Sequence, residues 1–65
     1  MRYYSTQRPI TPGSFPRPVD NMVMVIHNYD SKIYCEEIGR EAWGYIDYGQ
    51  SIDPDSAHKY ELTPA

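Results

Sequence analysis

Hydrophobic and polar positions divide this chain near Asn21. Beyond it, Met22-Val23-Met24-Val25-Ile26 is apolar at every position and rich in β-branched residues, which predicts a strand covered on both faces, or at least central to its sheet. The turn formers Asn28-Tyr29-Asp30-Ser31 are expected to end it. Lys32 to Ile38 alternates imperfectly, with Ile33 and Cys35 facing one way and Tyr34, Glu36 and Ile38 the other, so a second strand is predicted there. Gly39-Arg40 suits a two-residue type II′ hairpin turn, which takes glycine first. Glu41 to Tyr48 reads as a third strand, with Ala42, Gly44, Ile46 and Tyr48 on one face and Trp43, Tyr45 and Asp47 on the other. Gly44 in mid-strand marks a bulge or the close approach of another group.

The segment before Asn21 has no usable period. Pro9, Pro12, Pro16 and Pro18 remove backbone donors and fix φ, so neither a helix nor a central strand runs through it. Thr11-Pro12-Gly13-Ser14 has the residues of a type II turn. Tyr3 to Gln7 is long enough for a short edge strand, and the rest reads as extended chain laid over the domain. At the other end, Asp53-Pro54-Asp55-Ser56 supplies a helix N-cap, a proline at the first helical position and an acid in the first turn. Ile52 and Ala57 form a staple at its entry, Tyr60 and Leu62 dock it, and Thr63-Pro64 stops it.

The fold class expected is therefore α+β, mainly β, in one domain spanning residues 1–65. A proline-rich arm occupies 1–20, a three-stranded antiparallel meander lies within 21–50, and one short C-terminal helix covers 53–62. A fourth, N-terminal edge strand is allowed. Chains of this size bury only about 60 % of the surface they expose unfolded, so the core is thin. The usual staples are missing, because Cys35 is the single cysteine and only His27 and His58 accompany it as zinc ligands. Stability must then come from the aromatic load of seven tyrosines, Trp43 and Phe15, or from association.

The formal charge of −3, with no basic run, argues against sequence-independent binding of nucleic acid. No secretory leader or membrane-length apolar run is present in the sequence given. A lone cysteine suits a reducing compartment, and a cytoplasmic location is expected.

Candidate chemistry is sparse. Cys35 and His27 are the one nucleophile–base pair on offer, yet Glu36 and Glu37 oppose a thiolate, and a small buried hydrophobe is the simpler role. His27, Asp30 and His58 match no ordinary metal-ligand spacing. Glu36, Glu37, Glu41 and Asp47 fit a solvated strand face better than an acid–base pair, which needs a desolvating cleft. Arg8 to Pro12 holds a Pro-x-x-Pro spacing that connectors also show. No catalytic, cofactor-binding or metal-ligating residue is expected. The distinctive feature is aromatic: Trp43, Tyr45, Tyr34 and Tyr48 are the candidate interface, since both faces of the third strand are aromatic and a thin sheet cannot bury both unaided.

Tyr3-Tyr4-Ser5-Thr6-Gln7-Arg8-Pro9, Pro12-Gly13-Ser14-Phe15-Pro16, Ala42-Trp43-Gly44-Tyr45 and Tyr60-Glu61-Leu62-Thr63-Pro64-Ala65 resemble segments of short proteins of Gram-positive bacteria, often gut species, and of their plasmids and conjugative elements. The resemblance spans nearly the whole chain. It implies an accessory role in a mobile element and brings no activity or catalytic residues with it.

The expected function is a non-catalytic protein-interaction module with a protein partner or a second copy, and without a small-molecule substrate or membrane. Two alternatives stand beside it. In one, Arg2, Arg8, Arg17 and Arg40 meet phosphates while tyrosines stack on bases. In the other, the acids mimic DNA and inhibit a nuclease.

Overall fold

The computed structural model describes residues 1–11, 13–16 and 24–65. One open sheet of four antiparallel strands carries the fold: β1 (Arg2–Ser5), β2 (Met24–Cys35), β3 (Arg40–Tyr48) and β4 (Leu62–Pro64), with the helix α1 (Pro54–Lys59) between β3 and β4. The spatial order is β2-β3-β1-β4. The chain is thus mainly β with one short helix, as its sequence leads one to expect, but the arrangement of the strands differs from a meander with an added edge.

β1 is an interior strand, paired with β3 on one side (Tyr3 opposite Ile46, Tyr4 opposite Tyr45) and with β4 on the other (Tyr4 opposite Thr63). Backbone bonds between Met1 and Tyr48 in both directions, at 2.7 and 2.8 Å, prolong the first ladder. The position expected for β1 is taken by β4, whose Leu62 the sequence places at the end of the helix and whose Thr63-Pro64 reads as the helix stop. α1 stops after Lys59 because the chain turns at Glu61, whose φ of 58° lies in the left-handed region. Its start follows the sequence: Asp53 caps the Ser56 N–H at 3.2 Å and Pro54 opens the first turn.

β2 runs through the segment expected to be a turn. Asn28 pairs with Gly44 and Ile33 with Ala42, so Tyr29 to Lys32 are accommodated as a bulge opposite Trp43. The hairpin closes through the four residues Glu36–Gly39, and Gly39 adopts φ 66° at the last of them. Loops of four residues are commonly built on a type I turn, and here the glycine completes the loop instead of opening a two-residue turn. The apolar run expected to be covered on both faces is on an edge: Val25 is 52 % and Ile26 40 % exposed. Met22 and Val23, its first residues, lie outside those described.

Two apolar clusters flank the sheet. The larger holds Tyr3, Ile10, Phe15, Ile46, Tyr48, Ala57 and Leu62, so arm, helix and three strands all contribute. The proline-rich arm therefore covers this face from within the chain, and its tight turn closes with the Ser14 N–H on the Thr11 carbonyl at 2.9 Å. The type II assignment of that turn depends on Pro12, which lies outside the described residues. The smaller cluster joins Tyr4, Cys35 and Ala42, with Tyr29, Ile38 and Tyr45 packed on it. Here Cys35 and Ala42, from the hairpin end of β2 and β3, pack with Tyr4 of β1.

Candidate interaction surface

β3 alternates as its sequence prescribes. Ala42, Gly44, Ile46 and Tyr48 are buried, while Trp43, Tyr45 and Asp47 are half-buried. The four aromatic candidates are not brought together. Tyr48 belongs to the larger core at 3 % exposure, stands edge-on to Tyr3 with ring centroids 5.7 Å apart, and donates its hydroxyl to the Pro16 carbonyl at 2.8 Å. Burial, with Tyr3 and Tyr60 nearby, pushes its phenol up to about 12.

Tyr45 stands between two neighbours on the opposite face. The Arg2 guanidinium lies 3.9 Å from its ring centroid, and the His27 ring stacks on it at 5.3 Å with planes 16° apart. Arg2 comes from β1 and His27 from β2, so this cation–aromatic–imidazole row crosses the three strands. Tyr29 and Tyr4 meet Tyr45 edge-on at 6.2 and 6.0 Å. Trp43 is half-buried and belongs to neither apolar cluster. It lies on β3 opposite the bulge.

Carboxylates fix the arginines of this region. Arg2 donates from Nε and a terminal nitrogen to the two oxygens of Asp47, at 2.7 and 3.0 Å, and its other terminal nitrogen lies 3.8 Å from Glu37. The Arg2 bond holds the Asp47 carboxyl below its ordinary value, and Asp47 raises Arg2 in return. Glu37 accepts the Tyr4 hydroxyl, which raises that phenol. Arg8 pairs with Glu61. Half of the cations that a phosphate-binding reading named are thereby occupied, and two acids that a DNA mimic would present, Asp47 and Glu61, are paired with them. Arg17, the third arginine of that reading, lies outside the described residues.

Cys35 is buried, with its sulfur 4.0 Å from the Tyr29 hydroxyl and 3.6 Å from the Ile33 carbonyl. Among the described residues no three His, Cys, Asp or Glu side chains gather in a cluster fit for a metal ion. A hollow of about 390 Å³ lies between α1 and the sheet, walled mainly by Tyr3, Ile52, Pro54, Ala57, Leu62 and Pro64. Its lining includes one titratable side chain besides Tyr3, that of His58.

What remains open is β2. Val25, Ile26, Ile33 and Tyr34 are 52, 40, 42 and 63 % exposed, and they make up four of the five large apolar side chains that the described residues leave in solvent. Tyr34 alone among the sequence candidates is exposed rather than half-buried or buried. Ile33, Val25 and Ile26 escaped that reading because strand periodicity gives no sign of which strand ends at an edge. No helix among the described residues is long and apolar enough to cross a membrane.

A family model described as "Defence against restriction A C-terminal" matches residues 1–65. No curated protein and no solved structure matches the chain.

Proposed function

Because the chain belongs to the defence against restriction A C-terminal family, we propose that it is a non-catalytic docking module acting in protection from restriction. It meets another protein through the open edge of β2. The observation that carries this reading is that Val25, Ile26, Ile33 and Tyr34, four of the five large apolar side chains that the described residues expose, lie on one strand. Exposed apolar clusters rimmed by polar residues are characteristic of protein-binding sites, and tyrosine is enriched at their energetic centres. An accessory role in a mobile element accords with a task defined by restriction.

The pairing of Arg2 with Asp47 and of Arg8 with Glu61 supports a protein partner over DNA, since neither phosphates nor a nuclease's DNA groove would find those charges free. The test is protection of unmodified DNA from restriction in cells that carry the protein, alone or as it occurs in a longer chain. Ile33→Ser with Tyr34→Ser should abolish protection while the purified variant keeps the wild-type circular dichroism spectrum. Full protection by the folded double variant overturns the proposal, as does salt-sensitive binding of a DNA duplex by the purified chain.

A further inference from the structure

We propose that a polar hollow at the end of β1 is a binding site for a single carboxylate group, held by Arg40 and the Thr6 hydroxyl. The site uses none of Val25, Ile26, Ile33 and Tyr34, and it stands apart from the reading of β2 as a docking edge. The hollow measures about 230 Å³, and its polar lining is Thr6, Gln7, Arg40, His58, Glu61 and Thr63. Thr6 and Gln7 follow directly on β1, Arg40 opens β3 and Thr63 lies in β4, so three neighbouring strands contribute to the wall. Pockets for whole drug-sized ligands begin at about 300 Å³. A smaller space admits one functional group and the few carbons that carry it.

The lining is rich in donors. Thr6 is 4 % exposed, and its hydroxyl accepts from the Gln7 amide at 3.4 Å while donating to nothing among the described residues. A hydroxyl has a proton to give as well as lone pairs, and leaving that proton without an acceptor is unfavourable in a buried place. An acceptor within the hollow would take it. Arg40 is exposed and pairs with no acid among the described residues, whereas Arg2 and Arg8 are both held by carboxylates. The Thr63 hydroxyl and the His58 ring add further donors. Glu61, the one acid of the lining, is already paired with Arg8. One guanidinium is therefore left uncompensated, and one negative charge answers it. A carboxylate supplies that charge on two oxygens that match the planar guanidinium fork. A phosphate group carries about −1.5 to −2 at pH 7, and its excess charge would stand beside Glu61 without a second arginine to meet it.

Titration followed by nitrogen–proton correlation NMR tests this, with sodium acetate or N-acetylglutamate N-methylamide exchanged for sodium chloride at constant ionic strength. Saturable shifts are expected at the backbone amides of Thr6, Gln7 and Thr63 and at the Arg40 Nε–H. Arg40→Gln should weaken binding by roughly tenfold or more, as the loss of a hydrogen bond to a charged group does. Arg40 is exposed, so that variant should keep the fold. Thr6→Val preserves the shape of the side chain, removes its proton donor and should weaken binding severalfold. Lys59→Gln, which removes a cation from outside the hollow, should leave the affinity unchanged. Tighter binding of the glutamate derivative than of acetate assigns the group to a peptide, and equal binding assigns it to a free acid; either supports the site. Shifts that never saturate, that persist in Arg40→Gln or that fall equally in Lys59→Gln overturn it. Inorganic phosphate binding more tightly than acetate overturns the carboxylate as its ligand.

Discussion

The side-chain amide of Asn28 grips the backbone of Ile10 from both ends: Oδ1 accepts the Ile10 N–H and Nδ2 donates to the Ile10 carbonyl, each at 2.8 Å. One side chain on β2 thereby supplies the ladder contacts that a neighbouring strand would give the arm. Ile10 is buried in the larger core, so the clamp sets where the arm enters. Asn28→Ala leaves both Ile10 groups without their partner and should cost about 1–3 kcal/mol. Asn28→Asp keeps an acceptor and loses the donor, and should fall between. Urea unfolding followed by far-UV circular dichroism measures both, and an alanine variant as stable as the wild type would show that the arm is held by burial alone.

Gly44 is the reason the clamp fits. A β-carbon there would stand 2.4 Å from the His27 carbonyl oxygen, 3.0 Å from the Asn28 Cα and 3.1 Å from the Asn28 side-chain oxygen. The two nearest atoms are backbone, so they yield only if β2 moves away from β3. Gly44→Ala should therefore destabilise by on the order of 1–3 kcal/mol, as overpacking does. Adding Asn28→Ala should not rescue it, since the tightest contact is with a main-chain oxygen. Denaturant midpoints of the two single variants and the double variant decide this, and recovery in the double variant would place the clash on the Asn28 side chain instead.

The same glycine shows how far the sequence could be read. A glycine inside an alternating strand signals a close approach, and one is found, with the approaching groups supplied by β2. Alternation along β3 correctly separates Ile46 and Tyr48 from Trp43 and Tyr45, because it reflects backbone pleating alone. The order of strands was not legible. Tyr3 and Tyr4 bury opposite faces of β1 in two different clusters, which requires partners distant in sequence. Met24 to Ile26 is more apolar but lies on an edge. The turn formers Asn28 to Ser31 are absorbed into a bulge because pairing with β3 on both sides outweighs local preference. The edge site was half legible for the same reason: Tyr34 drew attention as an aromatic, whereas Ile33 and Val25 are ordinary strand residues until their neighbour is known to be absent from that side.

Acid should loosen the β1–β3 pair. The bond from Arg2 holds the Asp47 carboxyl below its ordinary value. A group whose folded value is depressed stabilises above its unfolded value, about 3.9 for an aspartate, and loses that contribution as pH falls through the folded value. Stability contributed by this pair should therefore be intact above about pH 4 and decline on further acidification. Asp47→Asn should be less stable at neutral pH and should show a shallower acid limb. Urea midpoints between about pH 2 and pH 6 measure the difference, and identical limbs in the two proteins would remove Asp47 from the acid response.

Alkali should act through the buried phenol of Tyr48 and the half-buried phenol of Tyr29. Burial pushes Tyr48 up to about 12, with Tyr3 and Tyr60 adding to the shift, and burial together with the Cys35 thiol pushes Tyr29 up to about 12. The unfolded value of tyrosine is about 10. A folded value raised above it stabilises fully below the unfolded value and loses that contribution as pH climbs towards the folded one. The protein should accordingly hold its stability to about pH 10 and lose it between about pH 10 and 12. Phenolate absorbance should show these two tyrosines, together with Tyr4, whose phenol the bond to Glu37 raises, ionising above the unfolded value until unfolding releases them. Tyr48→Phe removes one lagging phenol and the hydrogen bond to the Pro16 carbonyl, at a cost of about 1 kcal/mol. It should also make the alkaline limb less steep, because one fewer buried group then ionises on unfolding. Should Tyr48→Phe leave both the lagging absorbance and the limb unchanged, Tyr48 ionises freely in the folded chain, and the core around Tyr3, Phe15 and Ile46 admits water.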